Sequence, residues 1–220
     1  QDPAGDVDRA FLEAVSSWTA AARCDPALPL DRRSSLTGVR ALELFDSQIG
    51  SRHLDLASRW LRGRGKGYYT IGSSGHEGNA CIAAALRPTD PALLHYRSGA
   101  FFVERARQVP GLDALEAVML GVCAATDDPI SGGRHKVFGH PRLAVIPQTS
   151  TIASHLPRAV GVALSIDRAK KLGVRSPWPR DAVVVTSFGD ASSNHSTAAG
   201  AINTACHCAH QHLPLPLLFV

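Results

Sequence analysis

The stretch Ala182-Val183-Val184-Val185-Thr186-Ser187-Phe188-Gly189-Asp190 decides the fold of this chain. Its first seven residues are mostly apolar or β-branched and predict a buried strand, which stops abruptly at a glycine. Residues 191–195 then lead into a predicted helix of small residues over 196–205. A carboxylate between a buried strand and the start of a helix favours an anion or metal site. Asp190 would supply a hard oxygen ligand for Mg²⁺ or Ca²⁺. Taken alone, the dipeptide is more typical of an aspartate that only caps a helix, and the motifs upstream shift the balance towards a site.

Upstream of this stretch, helical periodicity alternates with short apolar runs. The pattern predicts helices over 7–23, 36–61, 75–86, 100–108, 112–125 and 151–172, strands over 92–96 and 213–220, and a long functional loop over 126–148. Such alternation indicates an α/β fold, an open and mostly parallel sheet with helices on both faces. We expect residues 1–34 to form a helical extension and linker, and residues 35–220 the α/β domain. Since the apolar stretch 213–220 ends the chain, we also expect a longer polypeptide or one half of a nicked one.

Composition excludes several classes of function. The net charge of +4 is mild, and the basic residues are scattered without interleaved aromatics, which argues against a nucleic-acid-binding face. No apolar run approaches the roughly 20 residues that a membrane span requires. The cysteine count of five is odd, which favours free thiols in a reducing compartment and predicts a cytoplasmic protein.

The histidines and cysteines over 206–212 invite a zinc interpretation. Consecutive residues on a helix point in different directions, so few of these side chains would converge on one ion. The segment therefore predicts a helix end followed by a solvated turn.

Three predicted strand ends carry groups suited to a ligand. They are His95-Tyr96-Arg97-Ser98-Gly99, Thr149-Ser150-Thr151-Ile152-Ala153-Ser154 and Gly189-Asp190. Because ligands gather at the carboxyl ends of parallel strands, these groups together favour a diphosphate and metal site.

The order of the motifs resembles a known family. Tyr68 to Gly78, His95 to Gly99, Ser131 to His135, Ile146 to Pro157 and Gly189 to Asn194 follow one another as in the alpha subunit of thiamine-diphosphate-dependent 2-oxo acid dehydrogenases. That subunit belongs to the decarboxylating first component of those complexes. The resemblance runs from Tyr68 to Val220, about two-thirds of the chain, and is closer to the branched-chain type than to the pyruvate type. It implies the thiamine-diphosphate-binding fold, with thiamine diphosphate and Mg²⁺ as cofactors.

The resemblance also implies roles for individual residues. Tyr96 and Arg97 would hold the diphosphate. The Ser150 carbonyl would meet the exocyclic amine of the aminopyrimidine, and Ile152 would offer its N–H to that ring and wedge its side chain under the bend of the cofactor.

Independently of the resemblance, His76 begins a predicted helix beside the pocket and is a candidate for contact with the substrate. His135 and His140, in the loop 126–148, could reach a substrate carboxylate or carbonyl. All three histidines are equally consistent with having no role in the site.

The same resemblance places the metal and the phosphates at Gly189-Asp190. Asp190 would ligate Mg²⁺, and the amides of Ala191 and Ser192 would lie near the phosphates. The chain carries Gly-Asp-Ala where the family carries Gly-Asp-Gly, which leaves the carboxylate in place. We expect the second metal ligand, an asparagine, beyond Val220.

The activating glutamate comes from the beta subunit or beta half in this family, so we expect an obligate α/β assembly that passes the acyl group to the lipoyl domain of an acyltransferase. Two other interpretations stay open. One is a pyruvate-type or transketolase-like enzyme with the same cofactor, and the other is a non-catalytic phosphate-binding scaffold that keeps the fold.

Overall fold

The computed structural model of the protein describes residues 3–19, 25–68, 72–134 and 138–220. The chain divides into two compact units, Gln1–Leu42 and Glu43–Val220. The first unit contains helix α1 (Pro3–Ser17) and the beginning of helix α2 (Gly38–Gly63), so the division falls inside α2. All the described residues that are predicted to form the site lie in the second unit.

The second unit is built on a parallel sheet of three short strands. Their order is β1 (Ala92–Leu93), β2 (Val184–Thr186) and β3 (Leu217–Phe219), with β2 in the centre. Ala92 lies opposite Val185, and Leu93 opposite Thr186. The prediction of an α/β fold with a parallel sheet is confirmed.

Helices cover both faces of the sheet because side chains alternate along each strand. Ala92 and Val185 face a core shared with α3 (Asn79–Ala85), α4 (Gly99–Arg107) and α5 (Ala114–Val122). Leu93 and Val184 face the opposite core, formed with α6 (Leu156–Leu172). Helix α7 (Ser196–His210) packs against α6 on that same side.

Among the described helices, the latest starts relative to the sequence prediction are those of α3 and α6. Helix α3 starts at Asn79 rather than at 75, because Gly75 has φ of +87° and belongs to a turn. Helix α6 starts at Leu156 rather than at 151, because Pro157 occupies its first turn, where a missing N–H is tolerated. The residues between Thr151 and His155 form turns, and Ala153 has φ of +57°.

The second half of the predicted loop 126–148 is attached to the sheet. The Ile146 N–H donates to the Ala92 carbonyl and the Ala92 N–H to the Ala144 carbonyl, both at 2.9 Å. A short 3₁₀ helix, Pro141–Leu143, precedes this pairing, and Leu143 and Val145 are buried. This half of the segment therefore extends the β1 edge.

The described cysteines Cys81, Cys123, Cys206 and Cys208 are free. Among the described helices, none combines the length and the apolar character needed to cross a membrane.

Candidate functional site

Ser187, directly after β2, joins three stretches of the chain. Its hydroxyl accepts a hydrogen bond from the His95 N–H at 2.9 Å and lies 2.9 Å from the Ser98 hydroxyl. Its carbonyl accepts a hydrogen bond from His155 Nε2 at 2.7 Å. The end of β1, the end of β2 and the start of α6 therefore meet at one buried serine, at the carboxyl edge of the sheet.

Arg97 and Tyr96 follow β1 at this edge. Arg97 Nη1 donates to the Gly72 carbonyl at 2.8 Å, and the guanidinium carbon lies 5.5 Å from the centre of the Tyr96 ring. Both side chains are half-buried. Because a guanidinium has five N–H groups, the described contacts of Arg97 leave donors free for an anion.

His76 and His95 stack on each other, with ring centres 4.8 Å apart and planes inclined by 15°. Burial lowers the pKa of His76, and Arg97 adds to this effect, while Glu77 and Asp190 oppose it. Burial also lowers the pKa of His95, to about 3, with His76, His155 and Arg97 contributing. Both imidazoles are therefore neutral at neutral pH, when they can each accept and donate a hydrogen bond.

Gly189, directly before Asp190, lies beside the His95 ring. Its backbone is in an ordinary extended conformation, with φ of −83° and ψ of 153°. A Cβ at this position would lie 3.4 Å from His95 Nε2. That distance is an ordinary van der Waals contact, so neither the backbone angles nor the available space requires glycine at this position.

Asp190 and Ala191 are exposed at the start of a short 3₁₀ helix, Asp190–Asn194. The carboxylate is close enough to influence His76 electrostatically. The Ser192 N–H donates to the Gly189 carbonyl at 2.9 Å, so this amide already has an intramolecular partner.

Ser150 and Ile152 lie in the turns before α6. Ile152 is 49% exposed, and Ser150 is half-buried. The link between this segment and the β2 end is His155, whose Nε2 contacts Ser187. His135, also predicted to lie in the site, is outside the described residues.

His155 is itself buried and incompletely paired. Since Nε2 donates to Ser187, Nδ1 is an acceptor, and it has no hydrogen-bond partner within the described ranges. Burial lowers the pKa of His155, aided by Arg158 and opposed by the bond to Ser187. Sequence reasoning missed His155 and Ser187, since no motif marks residues whose role is to join distant segments.

The described residues include no group of three or more histidine, cysteine or acidic side chains that could hold a metal ion. Of the residues in the segment 206–212, only Cys208 is buried. The segment 206–212 therefore offers no converging set of ligands among the described residues.

Comparison with known proteins tests the family that the motifs indicate. Residues 48–214 match the family described as the dehydrogenase E1 component. The chain is also 29% identical over 191 residues to 2-oxoisovalerate dehydrogenase subunit alpha of Bacillus subtilis (strain 168). That alignment covers 84% of this chain and 51% of the relative, so the chain spans about half the length of the curated relative it matches. The resemblance predicted from the motifs is confirmed, and the chain belongs to the dehydrogenase E1 component family.

Proposed function

We propose that this chain is the alpha portion of a 2-oxo acid dehydrogenase that uses Mg²⁺ and thiamine diphosphate, with a branched-chain 2-oxo acid as its substrate. The observation that carries the proposal is the convergence at Ser187 of the β1 end, the β2 end and the start of α6. These stretches hold the diphosphate, metal and aminopyrimidine motifs of the family. The likeness to a 2-oxoisovalerate dehydrogenase subunit favours the branched-chain class.

The residues present fit a magnesium diphosphate. Arg97 offers a fixed cation with free donors, and Asp190 offers an exposed carboxylate, the ligand type that Mg²⁺ prefers. The backbone at Gly189 lies against the His95 ring, one of the two stacked histidines. The cationic and anionic groups thus lie at one sheet edge, as a metal-bridged diphosphate requires.

Each chain residue has a defined task in this proposal. Arg97 and Tyr96 bind the diphosphate, and Asp190 binds the metal. The Ala191 N–H is the candidate phosphate donor, since the Ser192 N–H is occupied by Gly189. Ser150 and Ile152 orient the aminopyrimidine through backbone groups in the turns before α6.

Thiamine diphosphate, when bound, supplies the electron sink that decarboxylation of a 2-oxo acid requires. His76 would contact the substrate as a neutral imidazole, because burial and Arg97 lower its pKa. A neutral imidazole can hold a proton on one nitrogen and accept one on the other, so His76 can orient a substrate carboxylate or carbonyl and move a proton there. We assign His135 a similar substrate contact from its motif.

The proposal includes partners. A beta subunit or beta half would supply the activating glutamate, and the lipoyl domain of an acyltransferase would accept the acyl group. We further propose a cytoplasmic location, with residues 35–220 as the diphosphate-side domain.

Replacement of Asp190 tests the cofactor assignment. In the full-length protein with its partner, Asp190→Asn should weaken binding of Mg²⁺–thiamine diphosphate by about 100-fold or more, since even the outer partners of metal ligands contribute about 10- to 100-fold. Isothermal calorimetry measures this change. Asp181→Asn is the matched control, because Asp181 is an exposed carboxylate before β2 that pairs with Arg87.

The two ways in which this experiment can fail differ. Unchanged affinity in Asp190→Asn contradicts the metal assignment alone. A wild-type assembly that does not bind thiamine diphosphate contradicts the proposed function and favours a non-catalytic phosphate-binding protein.

A further inference from the structure

We propose that Asp55, on α2, is a positioning residue for Arg97 and His76. The Asp55 carboxylate fixes the turn Gly72–Glu77 through hydrogen bonds. This turn contains His76, and its Gly72 carbonyl accepts a hydrogen bond from the Arg97 guanidinium. We call the hydrogen bonds between Asp55 and this turn the Asp55 clamp. The expected effect on cofactor binding rests on the proposed function, whereas the clamp itself does not.

One carboxylate oxygen of Asp55 gathers three donors. Oδ2 accepts hydrogen bonds from the Ser73 N–H and the Ser73 hydroxyl, both at 2.8 Å, and from Arg52 Nη1 at 2.9 Å. The Asp55 side chain is only 13% exposed. A shielded carboxylate with three donors makes stronger hydrogen bonds than a neutral acceptor, so α2 fixes the position of Ser73.

Gly72, the residue before Ser73, connects the Asp55 contact to Arg97. Gly72 lies so close to α2 that a Cβ there would come within 3.0 Å of Asp55 Oδ2. The Gly72 carbonyl accepts the hydrogen bond from Arg97 Nη1 at 2.8 Å. The acceptor that orients the guanidinium therefore sits one peptide away from the clamped serine.

Hydrogen bonds in the residues after Ser73 fix the position of the His76 backbone. The His76 N–H donates to the Ser73 carbonyl at 2.8 Å, and Arg52 Nη1 also donates to the Ser74 hydroxyl at 2.8 Å. Glu77 closes the turn by accepting a hydrogen bond from the Gly75 N–H at 2.8 Å. Two groups of the proposed site thus depend on one carboxylate that does not reach the sheet edge itself.

Loss of the Asp55 side chain would leave the Ser73 N–H and hydroxyl without their acceptor. Buried donors without partners are costly, so the turn would move to find new ones. Asparagine keeps an acceptor oxygen but loses the charge, and its effect should be smaller.

The test uses the full-length protein assembled with its partner. In Asp55→Ala, the KM for thiamine diphosphate should rise by about 10- to 100-fold, the range found when an outer support of a bound group is removed, and Asp55→Asn should show a smaller rise. The turnover number at saturating cofactor should change less than this KM. Asp46→Ala is the matched control, an α2 aspartate that pairs with Arg107 away from the turn, and should leave the KM unchanged.

A double variant separates positioning from general stabilisation. If Asp55 acts through Arg97, Asp55→Ala combined with Arg97→Gln should bind thiamine diphosphate no more weakly than Arg97→Gln alone. Additive losses, or an unchanged KM in Asp55→Ala, would overturn the proposal.

A cofactor-free measurement makes failure of the clamp distinguishable from failure of the proposed function. Hydrogen exchange of peptides covering residues 72–79 should accelerate at least tenfold in Asp55→Ala and not in Asp46→Ala. If the wild-type protein does not bind thiamine diphosphate but this exchange still accelerates, only the proposed function fails. Unchanged exchange in Asp55→Ala overturns the clamp whatever the cofactor does.

Discussion

His95 shows how a single residue at the site is adapted to stay neutral. Its folded pKa of about 3 lies well below its ordinary value of 6.5. Between these two values the unfolded chain binds a proton that the folded chain does not, so acidification destabilises the fold by up to about 1.4 kcal/mol per pH unit. His95→Gln should remove this contribution. The free energy of unfolding, measured by urea titration, should then depend less steeply on pH between pH 6 and 4. The decrease in slope should correspond to at most one proton fewer taken up on unfolding.

The same experiment contains its control. Between pH 8 and 9 the imidazole is neutral in both states, so the substitution should not alter the slope there. Equal slopes for the two proteins in the acidic window would show that His95 is not held neutral in the fold.

The positions of candidate residues at this site are predictable where they follow a strand end and hidden where they depend on distant pairing. Tyr96, Arg97 and Asp190 were predicted from local motifs, and the structure brings their strand ends together. Ser187 was not predicted as a site residue, because its partner His95 lies 92 positions away. A single sequence carries no signal for such a contact.

At the scale of elements, the loop 126–148 divides into two parts with different expected behaviour. Arg134 is exposed beside Gly132 and Gly133, both with positive φ. Arg142 is also exposed, but it lies in the 3₁₀ helix and donates to the Pro110 carbonyl at 2.6 Å. Trypsin should therefore cut after Arg134 in the cofactor-free protein and spare Arg142, because cleavage needs local unfolding.

Addition of Mg²⁺–thiamine diphosphate should suppress the cut after Arg134, since this segment lies between two phosphate-side motifs. Mass spectrometry of the fragments identifies the site, and Arg134→Gln is the control variant. Equal cutting with and without cofactor would contradict ordering of the segment on binding.

The elements themselves could be predicted better than their ends. Periodicity indicated the bounds of α2 and α4 closely. Helix α4 buries its apolar residues, whereas α2 buries two leucines together with three serines and leaves much of its apolar face exposed. The starts of α3 and α6 were placed too early, because a glycine with positive φ and a proline in the first turn delay the helix. The strands are shorter than predicted, since only the paired residues of each apolar run belong to the sheet.

The molecule as a whole exposes an apolar surface that predicts an assembly. Phe45, Leu56 and Trp60 are each more than half exposed along one face of α2. A separate groove between α6 and α7 is lined by small or apolar residues, among them Gly161, Leu164 and Gly200. Exposed apolar side chains in a line are typical of interaction surfaces, so we expect a stable complex with a beta subunit or half.

Light scattering after size-exclusion chromatography tests this expectation. The double variant Phe45→Ser and Trp60→Ser should weaken the complex, whereas Leu172→Ser, at an exposed leucine near the end of α6, should not. A stable and fully active monomer of 23.3 kDa would contradict both the assembly and the proposed function.

The pairing of Ala92 with Val185 also has a consequence for the rate at which this protein folds. Nearly half the chain separates these two parallel strands. Closing so long a loop costs conformational entropy, so the strands should pair slowly, after the helices between them have formed. The edge that carries Arg97 and Asp190 is therefore created late, after most of the secondary structure has formed. During biosynthesis, the nascent chain would expose β1 and its apolar neighbours until β2 leaves the ribosome, and this interval is when chaperones would matter most.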